Sequence, residues 1–150
     1  MGDGCVDNVT FRNIHIDHPS LCAVEIKTEQ GKDNASFISN VLYENISIVN
    51  SMNASEFPCV SIIADYDGDG HPYDGKFLPR IANITFKDVD SLGCSTPIVL
   101  NCNPKFPCTN ISFNQVKTLK NMTCQGVDDC SAVDVGPGSA ACCKHQKKIL

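Results

Sequence analysis

Tryptophan is absent from this 150-residue chain, and the aromatics together make up 7% of it. No apolar run approaches the roughly 18 residues a membrane-spanning helix needs, which argues against a membrane partner. Cations are in deficit: 12 Lys and Arg stand against 17 Asp and Glu, for a net charge of −5. Nucleic acid calls for clustered Lys and Arg, so it is not an expected partner either. Helical periodicity is nearly missing, with no stretch keeping apolar residues at i, i+3, i+4 and i+7 over three turns. The paired C-x2-C spacings of zinc sites are missing too. No metal and no cofactor are expected, and the chain is expected to be a monomer.

Ten cysteines are present. Without zinc spacings they point to disulfides and an oxidising compartment. Cys102 and Cys108 bracket "NPKFP", whose two prolines suit a turn closed by a disulfide. Seven of the 13 Asn begin an Asn-x-Ser/Thr triplet: Asn8, Asn34, Asn45, Asn53, Asn83, Asn110 and Asn121. Chance placement would give about two. The excess fits a secreted glycoprotein, although a strand pattern of Asn, apolar residue, then Thr or Ser would produce the same triplets without a sugar. The opening "MGDGCVDNVTF" has neither the charged nor the apolar region of a signal peptide. An extracellular chain with this start is expected to be a truncated piece.

Four stretches align: "DNVTFRNIHI" from Asp7, "SNVLYENISI" from Ser39, "ANITFKDVDS" from Ala82 and "TNISFNQVKT" from Thr109. Each has Asn, then Val or Ile, then a mixed residue, then Phe or Tyr. Two positions after the aromatic comes Asn, Asp or Gln, followed by Ile or Val. The leading Asn are 8, 40, 83 and 110, spaced 32, 43 and 27 apart. A second strand pattern falls between the repeats, in "CAVEIKT" from Cys22, "CVSIIADY" from Cys59 and "TPIVLNC" from Thr96, with "CSAVDV" from Cys130 as a fourth. Short strands separated by Asn, Gly and Pro leave an antiparallel sandwich or a parallel β-helix. The repeat favours the all-β parallel helix, because in a solenoid each residue stacks on its equivalent in the next coil. Phe11, Tyr43, Phe86 and Phe113 would form one internal aromatic stack. Asn8, Asn40, Asn83 and Asn110 would stack at a turn, where Asn tolerates the left-handed region. Residues 1–150 are then a single domain, with a loop-rich cap and tail over 127–150. The basic end "CCKHQKKIL" frays unless Cys142 or Cys143 ties it down.

With this pattern in place, the chain resembles the C-terminal part of glycoside hydrolase family 28, the polygalacturonases and related pectinases. The resemblance is carried by "VDNVTFRNIHI" followed by "AVEIKTEQG", by "FISNVLYENISIVN", by "PCVSIIADYD", and by "ANITFKDVDSLGCSTPIVLNCNPKFPCTNISFNQV", and it covers about residues 2 to 130. It implies a right-handed parallel β-helix and inverting hydrolysis of α-linked galacturonate in pectin, a cell-wall polysaccharide. Such chemistry needs one carboxylic acid for the leaving oxygen and a second carboxylate to activate water. The family's Asn-Thr-Asp and Gly-His-Gly motifs are absent, and the single Asp-Asp, Asp128–Asp129, sits in the wrong coil and reads as a solvated turn. No catalytic residue is therefore expected in this chain. The alternative is a non-catalytic secreted β-helix glycoprotein that binds polysaccharide or protein.

As a strand, "CAVEIKTEQG" turns Val24, Ile26 and Thr28 one way and Glu25, Lys27 and Glu29 the other. By resemblance, Lys27 matches a lysine that binds substrate carboxylates, and Glu25 stands where the family has arginine. A carboxylate there repels a polyanion and removes a bidentate fork. The competing reading is a solvated charge ladder. The resemblance makes Tyr66 the aromatic that packs on sugar, and ordinary loop packing is its alternative. "DYDGDGHPYDGK", from Asp65 to Lys76, begins like a calcium loop with Asp65, Asp67, Asp69 and Gly70. It places Lys76 where a bidentate Glu belongs and Pro72 inside the loop, so it does not complete one. His15, Asp17 and His18 read as surface residues.

Overall fold

The computed structural model describes residues 4–19, 22–29, 36–50, 58–64, 66, 78–94, 98–118, 121–136 and 142–143. The calcium-like loop apart from Tyr66, and the triplets at Asn34 and Asn53, lie outside these residues.

Among the described residues, nine strands form two parallel sheets. One holds β1 (Cys5–Asp17), β3 (Phe37–Val49), β5 (Arg80–Asp90), β7 (Thr109–Lys117) and β9 (Cys130–Val133), neighbours in that order. The other holds β2 (Val24–Lys27), β4 (Val60–Ile63), β6 (Val99–Asn101) and β8 (Thr123–Gln125). The chain alternates between the sheets, one long strand and one short strand per coil, and every strand pair is parallel. This is the parallel β-helix.

The long strands are bent. Asn8, Asn40, Asn83 and Asn110 have φ between 52 and 56°, and Asn13, Asn45, Asp88 and Gln115 have φ between 52 and 57°. Pairing skips these positions: Asp7 pairs with Ser39 and Val9 with Val41, but the residues between do not pair. Each left-handed residue shifts the strand's alternation by one. In β3 the buried residues are Val41, Tyr43, Ile46 and Ile48, and in β5 they are Ile81, Ile84, Phe86 and Val89. Strict period 2 would send half of them to solvent. The corner at Asn45 or Asp88 therefore keeps the apolar side inward as the chain turns around the core. Asn suits the position because it enters the left-handed region at little cost and carries an amide. That amide is used: Asn83 Nδ2 donates to Asn40 Oδ1 at 3.0 Å, Asn110 Nδ2 to Asn83 Oδ1 at 2.7 Å and Asn45 Nδ2 to Asn13 Oδ1 at 2.8 Å.

Inside, equivalent residues stack. Phe11, Tyr43, Phe86 and Phe113 form one column with ring centroids 4.9, 5.2 and 5.1 Å apart and planes within 8° of parallel. This spacing is close to the strand separation of a sheet, so the backbone register sets the stack. Val24, Ile26, Val60, Ile62 and Leu100 fill the core from the second sheet.

One expectation is corrected. "CSAVDV" does not extend the second pattern: Cys130–Val133 pairs with β7 in the first sheet. The fourth short strand is Thr123–Gln125, against β6. The last coil is one step of 19 beyond β7, as Ile111 pairs with Cys130. Four disulfides join Cys59–Cys94, Cys102–Cys108, Cys124–Cys142 and Cys130–Cys143, with Cα separations of 4.6 to 5.9 Å. The last two anchor the segment at 142–143 to the final coil.

Candidate functional site

The short second sheet has one face in the core and one outside. Alternation turns Glu25, Lys27, Ser61, Ile63, Val99, Asn101, Thr123 and Gln125 outward. Register stacks them into two rows across the coils: Glu25, Ser61, Val99 and Thr123 in one, and Lys27, Ile63, Asn101 and Gln125 in the other. Within these four strands Glu25 and Lys27 carry the only charges.

Lys27 does not pair with either neighbouring glutamate among the described residues. Its Nζ lies 3.4 Å from the centre of the Tyr66 ring. Tyr66 is brought there by the backbone: its N–H donates to the carbonyl of Thr28 at 2.8 Å, and Thr28 N–H donates to Ile63 O at 3.0 Å. An ammonium over a phenol ring is held by the ring's negative face. Thus the two residues singled out as sugar-binding meet in space, across 39 positions of sequence.

Glu25 is engaged differently. Its Oε1 accepts from Ser61 Oγ at 3.5 Å and from Cys22 Sγ at 3.6 Å, and Cys22 Sγ lies 3.6 Å from Ser61 Oγ. Burial pushes the Cys22 thiol above its ordinary value. Ser61 is 1% exposed although it points out of the sheet. The triangle draws the Glu25 carboxylate toward Ser61 and Cys22, on the same face of the sheet as Lys27. Sequence reading missed this triangle, because Cys22 and Ser61 lie in different coils and neither belongs to a motif.

The other candidates lie apart. Asp128 and Asp129 are exposed in the turn before β9, where Asp129 O accepts from Ile111 N–H at 2.9 Å. His15, Asp17 and His18 are exposed at the end of β1, with His18 Nδ1 2.7 Å from Asp17 Oδ1. Of the Asn-x-Ser/Thr triplets, Asn45, Asn83 and Asn110 lead with amides that donate between coils. There the corner itself accounts for the Asn. Asn8 occupies the same kind of corner in the first coil, while Asn121 is exposed outside any strand.

The model of the glycosyl hydrolases family 28 matches residues 1–143, and the chain belongs to that family. It is similar to a polygalacturonase of Prunus persica, at 26% identity over 132 residues. The match covers 86% of this chain and 31% of the peach protein, so the chain spans about a third of that relative's length. No solved structure gives a significant match.

Proposed function

We propose that the outer face of the second sheet is a galacturonan-binding surface of a polygalacturonase-like, pectin-degrading protein, and that this chain by itself does not cleave the polymer. The observation that carries the reading is the Lys27 ammonium seated 3.4 Å above the Tyr66 ring on that face. The ring holds the cation in place, and a uronate carboxylate completes its hydrogen bonds. Tyr66 also offers an apolar surface at the sheet's edge. Inverting hydrolysis needs two carboxyl groups about 6.5–9.5 Å apart. The four strands of this face supply one, Glu25, and it is already engaged by Ser61 and Cys22. Four disulfides and the family support an extracellular setting, and Asn121 is the triplet best placed for a glycan. A polysaccharide is the partner this reading implies.

The test is titration of the folded chain with galacturonate oligomers and with their methyl esters. The acid form binds and the ester binds less. Lys27→Ala removes a charge-assisted bond and weakens binding by about tenfold. Glu25→Arg exchanges a repelling carboxylate for a guanidinium and strengthens binding. Equal affinity for acid and ester, or no response to both substitutions, rejects the surface. Release of reducing ends from polygalacturonate stays at the level of a boiled control. Turnover lost in Asp128→Asn or Asp129→Asn would instead give that exposed pair a catalytic role.

A further inference from the structure

The first sheet has an outer face of its own, distinct from the face that carries Lys27. Before the corner at Asn83, alternation keeps Ile81 in the core and sets Arg80 and Ala82 outward. Register carries these positions across the coils: Phe37 pairs with Arg80, Ser39 with Ala82, and Ala82 with Thr109. Ser39 and Ala82 are small, so the face dips along their row. Just ahead of Thr109 the chain forms the loop closed by Cys102–Cys108. Between loop and strands lies a groove of about 580 Å³, lined by Phe37, Ser39, Ala82, Phe106, Arg80 and Lys105 among others.

Two features of the groove go unused by the fold. The first is Phe106, which is 42% exposed. Its loop holds it there: Phe106 N–H donates to Asn103 O and Lys105 N–H to Asn103 Oδ1, each at 2.9 Å. The second is the pair of cations. Arg12, Lys87 and Lys117 each meet a carboxylate, and Lys27 sits on the Tyr66 ring. Arg80 and Lys105 have no such partner among the described residues, although the chain carries a net charge of −5. Asp7 closes the row at its β1 end, where Ser39 and Asn40 donate to it. The cations stand at the β5–β7 end, so the groove is apolar along its length and positive at one end.

We propose that this groove is a binding site for a compact carboxylate with an apolar, planar body, such as an aromatic acid. Its ring packs against Phe106 and Phe37, and its carboxylate lies between Arg80 and Lys105, where the guanidinium offers a fork of two N–H donors. The volume suits a small molecule. A peptide is a poorer occupant, since β3, β5 and β7 are interior strands with neighbours on both sides and offer no edge to pair with. A sugar is poorer too. Its many hydroxyls need polar partners, the lining is largely apolar, and the Ser39 hydroxyl is already donated to Asp7 at 2.6 Å. The proposal is independent of galacturonan binding, since neither Lys27 nor Tyr66 lines the groove.

The experiment titrates the full 150-residue chain with naphthoate and with neutral naphthylmethanol, following backbone amide shifts. Naphthoate is expected to bind saturably, about tenfold more tightly than the alcohol, and to move the amides of Ala82, Phe106 and Thr109. Arg80→Gln weakens naphthoate by about tenfold and leaves the alcohol as it was. Lys105→Gln acts in the same sense and more weakly. Phe106→Ala weakens both ligands by about fivefold, because it removes apolar contact and not charge. Lys117→Ala, at a cation outside the groove, changes neither, and melting of each variant checks that the fold is intact. Absence of saturable binding, equal affinity for acid and alcohol, or shifts confined to the second sheet would each overturn the proposal. So would tighter binding at the same amides by a blocked Asp-Phe-Asp tripeptide or by trigalacturonate, which would make the groove a peptide or sugar site instead.

Discussion

The first coil and the last coil solve the same problem by different means. β1 is joined to β3 by ring stacking and by polar side chains: Asp7 accepts from Ser39 at 2.6 Å and from Asn40 at 2.7 Å, Asp17 accepts from Asn50 at 2.9 Å, and Arg12 Nε meets Glu44 Oε2 at 2.6 Å. β9 has four residues, pairs with β7 over four positions, and brings Ala132 where the earlier coils bring an aromatic. It is held covalently through Cys130. The middle coils combine ring stacking with the Cys59–Cys94 and Cys102–Cys108 disulfides, whereas the last coil has no ring in the column and carries two disulfides on its own strands, Cys124–Cys142 and Cys130–Cys143.

The largest effect is expected at the centre of the aromatic column. Phe86 is 1% exposed and stacked on both faces, so Phe86→Ala should cost about 3–5 kcal/mol. Phe11 touches one neighbour and is 41% exposed, and Phe11→Ala should cost roughly half as much or less, since the cost scales with area removed from water. Denaturant melts of the two variants provide the check. Equal losses would mean that the first coil is packed like the middle ones. Next comes Cys130→Ala with Cys143→Ala, which opens a loop closed over 13 residues. Loop-closure entropy puts the loss at about 3 kcal/mol, and a non-reducing melt should show β8 and β9 losing amide protection before β3 and β5. If the whole solenoid melts together at the wild-type midpoint, the covalent end is not what holds that coil.

The sequence made the middle of this molecule readable and its ends much less so. Phe11, Tyr43, Phe86 and Phe113 could be aligned because the coils share one residue type per position, and the structure stacks those four rings. The column of Asn8, Asn40, Asn83 and Asn110 could be read as a turn for the same reason, as could the inward set Val24, Ile26 and Thr28. A second corner at Asn13, Asn45, Asp88 and Gln115 was visible as a recurring polar position, but its conformation was not, because Asp and Gln do not mark the left-handed region as Asn does. The last coil was misplaced because its step is 19, its ring position is Ala132, and the corner residue it keeps is Asp134, at φ 50°. Of the site, Lys27 and Tyr66 came through the family resemblance and not through spacing. The Cys22–Ser61–Glu25 triangle left no local signal, since it is made only when two coils stack.

A smaller effect is expected at the corners. Asn83 adopts φ 56°, donates to Asn40 and accepts from Asn110. Asn83→Ala should cost about 1–2 kcal/mol for the left-handed backbone alone, and more for the interrupted column. Asn83→Gly removes only the column bonds and should be milder. At Asn8 no column bond is present among the described residues, so Asn8→Ala should match the backbone cost alone. A Gly variant as damaging as the Ala variant at position 83 would assign the corner's importance to the amide and not to the conformation.

The smallest effect is a pH dependence confined to one end. Hydrogen bonds from Ser39 and Asn40 hold the Asp7 carboxyl below its ordinary value of 3.8, the Asn50 amide does the same for Asp17, and the Lys87 ammonium, with Arg12 beside it, holds Glu44 below 4.5. A carboxyl lowered in the folded state binds its proton less readily than in the unfolded chain. Its stabilisation is complete above the ordinary value and is lost as pH falls through the lowered one. Lys87, raised above 10.5 by its bond to Glu44, behaves oppositely and is affected only in strong base. As pH falls from about 4 toward the lowered values, the polar attachments of β1 to β3 therefore weaken progressively, and the disulfides of the last coil are untouched. Asp7 and Asp17 are exposed and Glu44 partly so, so the loss is modest and falls further with salt. Amide exchange compared between pH 7 and pH 3, after correction for the intrinsic rate, should show β1 opening while β7 and β9 keep their protection. Equal loosening at both ends would mean that the carboxylates do not distinguish them and that ring stacking alone keeps β1 in place.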